Sequence, residues 1–439
     1  MRIGIVGLGY VGLTLGIAAA DSGIEVFGVE TSAHIIESLR NNHAHFFEPN
    51  LNSLIKLHNG KDFFCVESFP KGLKFDAFVI TVGTPLREGK KEPDYEYIKN
   101  ALKSVIKESY DGSQLIVLRS TVSVGTTRKI VLPFLSEIIG LEEDKLFVSM
   151  SPERTVEGKA VEELRTLPQI VSGNNERALE MAITLFRHLT DYVIPVSSLE
   201  EAELVKLYCN TYRDMFFALG NAFCMAAQTF GVNGLDVIRY ANKGYQRSNI
   251  AAPGFVAGPC LEKDAYILIN NMEECPSRDF ILSGRKLNES WEDMVVEWVK
   301  EHCQGEGIKR VVAISGLAFK GQPETTDLRG SSAINIAKKL KNVGYCLHLH
   351  DFLADEGEIK RLALGKYFKD VYEAAEGASV LLVLNNHKRY FDLQGDLLDS
   401  EKRTERFLVL DAWGVCSNLR SDGHIEVKTL GDMMIKENI

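Results

Sequence analysis

The segment MRIGIVGLGYVG constrains this chain most strongly. The apolar run Arg2–Val6 reads as a strand. Gly7, Gly9 and Gly12 come after it in G-x-G-x-x-G spacing at the start of a helical pattern. The first glycine permits a tight turn, the second lets backbone approach a pyrophosphate, and the third lets helix and strand pack closely. Tyr10 and Val11 complete the turn where free N–H groups and the helix dipole favour an anion. The next strand pattern, Glu25–Val29, leads to Glu30. A carboxylate there accepts hydrogen bonds from a ribose 2′-hydroxyl and repels a 2′-phosphate, so the expected cofactor is NAD rather than NADP. The competing reading is a glycine-rich turn that binds nothing.

Phe75–Val82, Gln114–Arg119, Lys145–Ser149 and Tyr192–Val196 continue the strand pattern, with helical stretches such as Tyr95–Lys107 between them. Near-continuous apolar strands alternating with helices predict a doubly wound α/β domain. Ligands in such sheets sit beyond the carboxyl ends of the strands. Thr84, Pro85, Ser120 and Thr121 are therefore cofactor candidates, with ordinary helix capping by Ser or Thr as the alternative. From Leu199 to about Phe230 there is no proline and only one glycine, Gly220. Leu199, Ala202, Val205, Cys209, Tyr212, Phe216, Leu219 and Phe223 recur at helical spacing, which predicts one helix of about 48 Å serving as a spine or a dimer contact. Helix-like sequence continues to about residue 300. Arg310–Ser315, Tyr345–His350, Ser379–Leu384 and Phe407–Leu410 then restart the strand pattern. The expected fold is α/β: two Rossmann-like doubly wound domains, residues 1–197 and 301–439, joined by a long central helix and a helical middle domain, residues 198–300. No close internal repeat is visible.

A formal net charge of −10, without a Lys/Arg block, argues against nucleic-acid binding. The eight cysteines are scattered with no CxxC pair, so no metal site is indicated and a reduced, cytoplasmic setting is expected. The N-terminus does not read as a signal peptide. No apolar run approaches the roughly 18 to 20 residues of a membrane helix, so no membrane partner is expected.

Ser151-Pro152-Glu153-Arg154 comes directly after a strand. Glu153 suits acid/base work and Arg154 suits a phosphate or carboxylate, unless the two are a surface ion pair. Lys206 and Asn210, four apart on the long helix, can stabilise an alkoxide or can simply be a solvated face. Cys260 lies among glycines and prolines in PGFVAGPCLEKD, with Lys263 and Asp264 close behind. A cation beside a thiol favours thiolate, the nucleophilic form, although a loop cysteine need not be catalytic. GLAFKG places Phe319 and Lys320 beyond a strand, and TDLRGSS places Asp327 and Arg329 before a helix. A phosphate contact and routine helix-start chemistry both remain open there.

In this order, GLGYVG, VGTPL, STVSVGTT, SPER, EAELVKLYCNTYRD, GFVAGPCLEKD and GLAFKG with TDLRGSS resemble the UDP-glucose/GDP-mannose dehydrogenase family over nearly the whole chain. The resemblance implies NAD-dependent, four-electron oxidation of the C6 alcohol of a UDP-sugar to a uronic acid, for surface polysaccharide synthesis. It implies an N-terminal NAD domain, a C-terminal UDP domain and a homodimer through the central helix. It makes Cys260 the nucleophile, passing through a thiohemiacetal and a thioester. Lys206 and Asn210 would flank the C6 oxygen, Glu153 would be acid/base or handle water, and Asp264 would orient water. Thr121 would lie near the nicotinamide and Arg329 near NAD. Arg154, Phe255, Gly258, Phe319 and Lys320 would contact substrate, and Arg247, in YQRSN, would be lent by the partner subunit. The SPER…LPQIVSG stretch is more similar to members acting on UDP-N-acetylhexosamines. The Lys263–Asp264 pair is typical of glucose and mannose enzymes, whereas DAWGV lacks the arginine of UDP-glucose members. The expected substrate is UDP-N-acetylmannosamine or UDP-N-acetylglucosamine, with UDP-glucose as the alternative. More distant alternatives are a two-electron β-hydroxyacid dehydrogenase, which lacks the loop cysteine and second α/β domain, and a non-catalytic NAD or nucleotide-sugar sensor.

Overall fold

A computed structural model describes residues 1–87, 90–303, 310–398, 407–416, 418–419 and 425–435. The first sheet contains β1 (Arg2–Val6), β2 (Glu25–Val29), β3 (Phe63–Val66), β4 (Ala77–Ile80), β5 (Leu115–Leu118) and β6 (Phe147–Met150). Its order is β3-β2-β1-β4-β5-β6, with every pairing parallel. The two short strands β7 (Gln169–Val171) and β8 (Val193–Pro195) pair with each other in a separate small sheet. The strand expected at Tyr192–Val196 thus exists but belongs to that small sheet. Helices cover both faces, giving two apolar cores, one around Ile3, Ile5 and Leu13 and the other around Phe78, Leu102 and Ile116.

The second large sheet contains β9 (Val311–Ser315), β10 (Cys346–His350), β11 (Lys366–Tyr367), β12 (Val380–Val383), β13 (Phe407–Asp411) and β14 (Ile425–Thr429). Its order, β11-β10-β9-β12-β13-β14, is the order of the first sheet, again all parallel. The mixed helical and parallel-sheet architecture matches the doubly wound expectation. The strand expected at Lys145–Ser149 starts later because Glu143–Lys145 closes a 3-10 turn.

By internal contacts the chain divides into two compact units, Met1–Asn210 with Tyr266–Glu273 and Thr211–Ala265 with Glu274–Ile439. The expected long helix runs Leu199–Thr229, 31 residues, and is shared between them. Its sequence has no proline to remove a backbone donor, and Gly220 is retained because a Cβ there would lie 2.3 Å from the Ala251 carbonyl oxygen. The helix Pro276–His302 buries Trp291, Val295 and Val299. No helix among the described residues is long and apolar enough to cross a membrane.

Candidate active site

In the first unit, Gly7 adopts φ +91° and donates its N–H to Val29 O at 2.9 Å, turning the chain off β1. A Cβ at Gly12 would lie 1.9 Å from Gly7 O, so helix and turn touch there. A Cβ at Gly9 would meet nothing within 4 Å, and Gly9 caps the helix Tyr10–Asp21 without any side-chain cap bond. The first N–H groups of that helix therefore face an open approach, which fits a dinucleotide pyrophosphate. The Glu30 carboxylate accepts from Leu8 N at 2.9 Å, Thr31 N at 2.8 Å and Ser32 N at 3.0 Å. A carboxylate offers about four lone-pair sites, so one remains for a ribose hydroxyl. The Tyr10 hydroxyl is committed elsewhere: it donates to Glu48 Oε2 at 2.5 Å, and Gly158 N donates to the same oxygen at 2.8 Å. Burial and Glu48 push that phenol far above its ordinary value. Tyr10 thus ties the glycine turn to the segment after Glu153, while its backbone stays at the helix start beside Val11.

The strand-end hydroxyls mostly stitch loops together. Thr84 donates to Thr121 O at 2.5 Å and Ser120 to Val82 O at 2.6 Å. Pro85 is exposed and Thr121 half-buried. Glu153 lies three residues beyond β6 and is 7% exposed. Its Oε2 accepts from Arg119 Nη2 at 2.5 Å and Nε at 3.0 Å, and its Oε1 accepts from Arg154 N and Thr155 N at 2.7 and 2.8 Å. Burial pushes this carboxyl up, but the Arg119 guanidinium, the Thr155 N–H and the Lys206 ammonium outweigh it and hold the group below the usual carboxylate range. Glu153 is an anion with both oxygens engaged. Lys206 and Asn210 are buried on the long helix, and Lys206 is near enough to help hold Glu153 ionised. One Arg154 guanidinium nitrogen donates to Pro168 O, within the LPQIVSG stretch.

Sequence reasoning missed two residues here. Arg119, 2% exposed, binds Glu153, Ser151 O and Gln169. The signal was an arginine directly after a buried apolar strand, where a cation must find an acid. Glu203 accepts from Gly125 N, Thr127 N and Thr127 Oγ1, so it holds the STVSVGTT turn against the long helix.

In the second unit, Cys260 is exposed and lies in the loop just before the helix Leu261–Ile269. Asp264 N donates to Cys260 O at 2.9 Å, and Lys263 Nζ is 3.9 Å from the buried Asp264 carboxylate. Gly258 has φ +97°, donates to Gly330 O at 2.8 Å, and would place a Cβ 2.6 Å from the Phe319 ring. Phe255 is buried in the core of this unit, and the Trp413 ring of DAWGV packs on Gly254. The cysteine loop, GLAFKG, TDLRGSS and DAWGV therefore meet in one place. Lys320 Nζ lies 5.2 Å above the Phe319 ring. The Arg329 guanidinium pairs with both oxygens of Asp327 at 2.6 to 3.0 Å. Arg247 is exposed.

Comparison with known proteins agrees with this geometry. Residues 1–190 match the NAD binding domain model of the UDP-glucose/GDP-mannose dehydrogenase family, 200–290 its central domain and 313–418 its UDP binding domain. A UDP-N-acetyl-D-mannosamine dehydrogenase of Methanococcus maripaludis is 31% identical, covering 98% of this chain and 97% of that protein. One of Pyrococcus horikoshii is 34% identical over 78% of this chain and 81% of its own length. The solved structure of the UDP-D-ManNAc dehydrogenase from Pyrococcus horikoshii superposes with a TM-score of 0.86 at 27% identity, covering 99% and 100% of the two chains. The chain therefore belongs to the UDP-glucose/GDP-mannose dehydrogenase family and is an NAD-dependent UDP-sugar dehydrogenase.

Proposed function

We propose that the substrate is a UDP-N-acetylhexosamine, UDP-N-acetyl-D-mannosamine first, oxidised at C6 from alcohol to carboxylate. The observation that carries the four-electron outcome is an exposed thiol at residue 260, at the junction of the cysteine loop with the GLAFKG and TDLRGSS segments. The names of the relatives support the N-acetylmannosamine reading over glucose. The similarity of the SPER…LPQIVSG stretch to members acting on UDP-N-acetylhexosamines supports it too.

NAD, when bound, accepts a hydride from the sugar carbon in each oxidation. Lys206 and Asn210 stabilise negative charge on the C6 oxygen as its proton and then the hydride leave. An aldehyde has no alkoxide to expel a second hydride, so the Cys260 thiolate adds to its carbon and the oxygen takes a proton, giving a thiohemiacetal. Loss of that proton and a second hydride leaves a thioester. Water oriented by Asp264 adds, the Cys260 sulfur departs, and the carboxylate is released. Glu153, held ionised, acts here as a fixed negative charge beside Lys206 rather than as a proton donor. Thr121 lines the nicotinamide side, while Glu30 holds the ribose. Phe319 and Lys320 hold the nucleotide, and Arg329 is the residue assigned to the cofactor.

The same reading takes the protein as a homodimer. Tyr208, Tyr212, Leu219 and Phe223 on the long helix, and Phe230 just beyond it, are 60, 69, 50, 45 and 82% exposed, an apolar stripe that a second copy would cover. Arg247 then serves the partner's substrate. A panel of UDP-sugars read by NADH absorbance tests the substrate. Fastest kcat/KM on UDP-N-acetylmannosamine is expected, and a preference for UDP-glucose would overturn the N-acetylhexosamine assignment. Sedimentation at micromolar concentration tests the dimer, which a monomer would contradict.

A further inference from the structure

The Cys260 sulfur is exposed, yet the backbone on both sides of it is tied to one buried polar network in the second unit. Arg285 is 2% exposed. Its Nη1 donates to Leu261 O at 3.0 Å and to Asp214 Oδ1 at 2.6 Å, and its Nη2 donates to Val256 O at 3.3 Å. One planar guanidinium therefore spans the loop, from four residues before the cysteine to one residue after it. Asn288 Nδ2 binds the Asp214 carboxylate at 2.8 Å and Asp214 O at 2.9 Å, which fixes the acid that orients Arg285. Asn221 extends the network: its Nδ2 donates to Asn288 Oδ1 at 2.8 Å and to Gly254 O at 3.1 Å, and its Oδ1 accepts from Gly254 N at 2.9 Å. Burial pushes Asp214 up to about 6 even against the pull of Arg285, as expected of a pair shielded from water.

A glycine- and proline-rich loop has no helical or sheet hydrogen bonds to define it. Thiol addition to an aldehyde needs the sulfur within a few tenths of an ångström of its working position. We propose that Arg285 is a positioning residue for the second oxidation: anchored by Asp214, it clamps Val256 O and Leu261 O so that Cys260 is presented at a defined place. The proposal rests on Cys260 being the nucleophile.

A lysine at 285 keeps the charge but cannot reach two carbonyls and an acid in one plane. The test uses full-length R285K and R285Q, with melting temperature as a check on folding and Cys260→Ser as a reference. Two half-reactions are timed separately: alcohol to aldehyde in single turnover, and a supplied UDP-sugar 6-aldehyde with NAD to acid. R285K is expected to slow the aldehyde step about 100-fold while the alcohol step changes less than about 3-fold. R285Q should slow the aldehyde step further. Loss of both steps in proportion to melting temperature would mean a merely structural role and overturn the proposal. If Cys260→Ser makes no acid and R285K is as fast as wild type, the positioning role falls alone. If Cys260→Ser makes acid at the wild-type rate, the nucleophile reading fails and this proposal with it.

Discussion

The two large sheets share one strand order but solve the same turn with different residues. After β1, Gly7 at φ +91° donates to Val29 O, and Leu8 N donates to the Glu30 carboxylate at the end of β2. After β9, Gly316 at φ +89° donates to His350 O, and Ala318 N donates to the Asp351 carboxylate at the end of β10. The backbone plan repeats: a left-handed glycine leaves the first strand, and an acid ending the second strand receives the turn. The side chains beyond that glycine set the two sheets apart. At the first turn Gly9 carries no side chain and the Tyr10 hydroxyl is held by Glu48, so that backbone N–H groups are left open. The second turn carries Phe319 and Lys320, so that an aromatic ring and an ammonium form its surface. A common scaffold thus presents open backbone at one turn, where Gly9 stands, and a ring with an ammonium at the other, where Phe319 and Lys320 follow Ala318.

Filling the first turn should have the largest effect. Gly12→Ala places a methyl onto Gly7 O, and we expect about 4 kcal/mol of lost stability or failure to fold, read by urea denaturation. Stability within about 1 kcal/mol of wild type would mean the close approach is not needed. The acids come next. Asp351 accepts from Ala318, Leu353 and Ala354 N–H groups and is buried, so Asp351→Ala should cost about 3 kcal/mol. Glu30 is less buried, so Glu30→Ala should cost only about 1 kcal/mol while weakening NAD about 10-fold in a titration. Equal stability losses would erase the distinction between a structural acid and a ligand-facing one.

The second sheet also carries a titratable group where the first has Val29. His350 is fully buried, its Nδ1 is 2.7 Å from Ser315 Oγ, and burial pulls its pKa down from 6.5 to about 4. The nearby Asp351 and Asp370 oppose this pull, while His387 and Arg389 add to it. A histidine depressed in the folded state favours folding above its unfolded value and opposes it below. Stability should therefore be full above about pH 6.5 and fall by up to about 3 kcal/mol as pH drops to 4. His350→Gln should flatten that slope in melts taken across the window, and an unchanged slope would remove His350 as its source. The smallest expected effect is at Gly9, where a methyl meets no protein atom. Gly9→Ala should leave the melting temperature within about 2 °C yet weaken NAD by roughly 10-fold.

What the sequence displays depends on how local the cause is. The glycine turn, the strand–helix alternation and the long proline-free helix depend on neighbouring residues, and the boundaries expected from them agree to within a few residues. β3, β7, β11 and β14 were not read from the sequence: β7 and β11 span only three and two residues, whereas FFCV in β3 is a short apolar run and IEVKT in β14 alternates apolar and polar, signals that could have been used. On the long helix, the apolar period combined two faces. Leu199 and Ala202 enter the core, whereas Cys209, Tyr212, Leu219 and Phe223 face outward. The polar networks were the least visible. Arg119 meets Glu153 across 34 residues and Arg285 meets Asp214 across 71, and no spacing rule announces such pairs.

In the proposed mechanism one thiol makes a two-step oxidation possible. The most direct measurement of this is the number of NADH formed per molecule of UDP-N-acetylmannosamine consumed to completion, with the wild-type protein and excess NAD. Two NADH and a uronic acid product are expected. One NADH with the aldehyde released would contradict that mechanism.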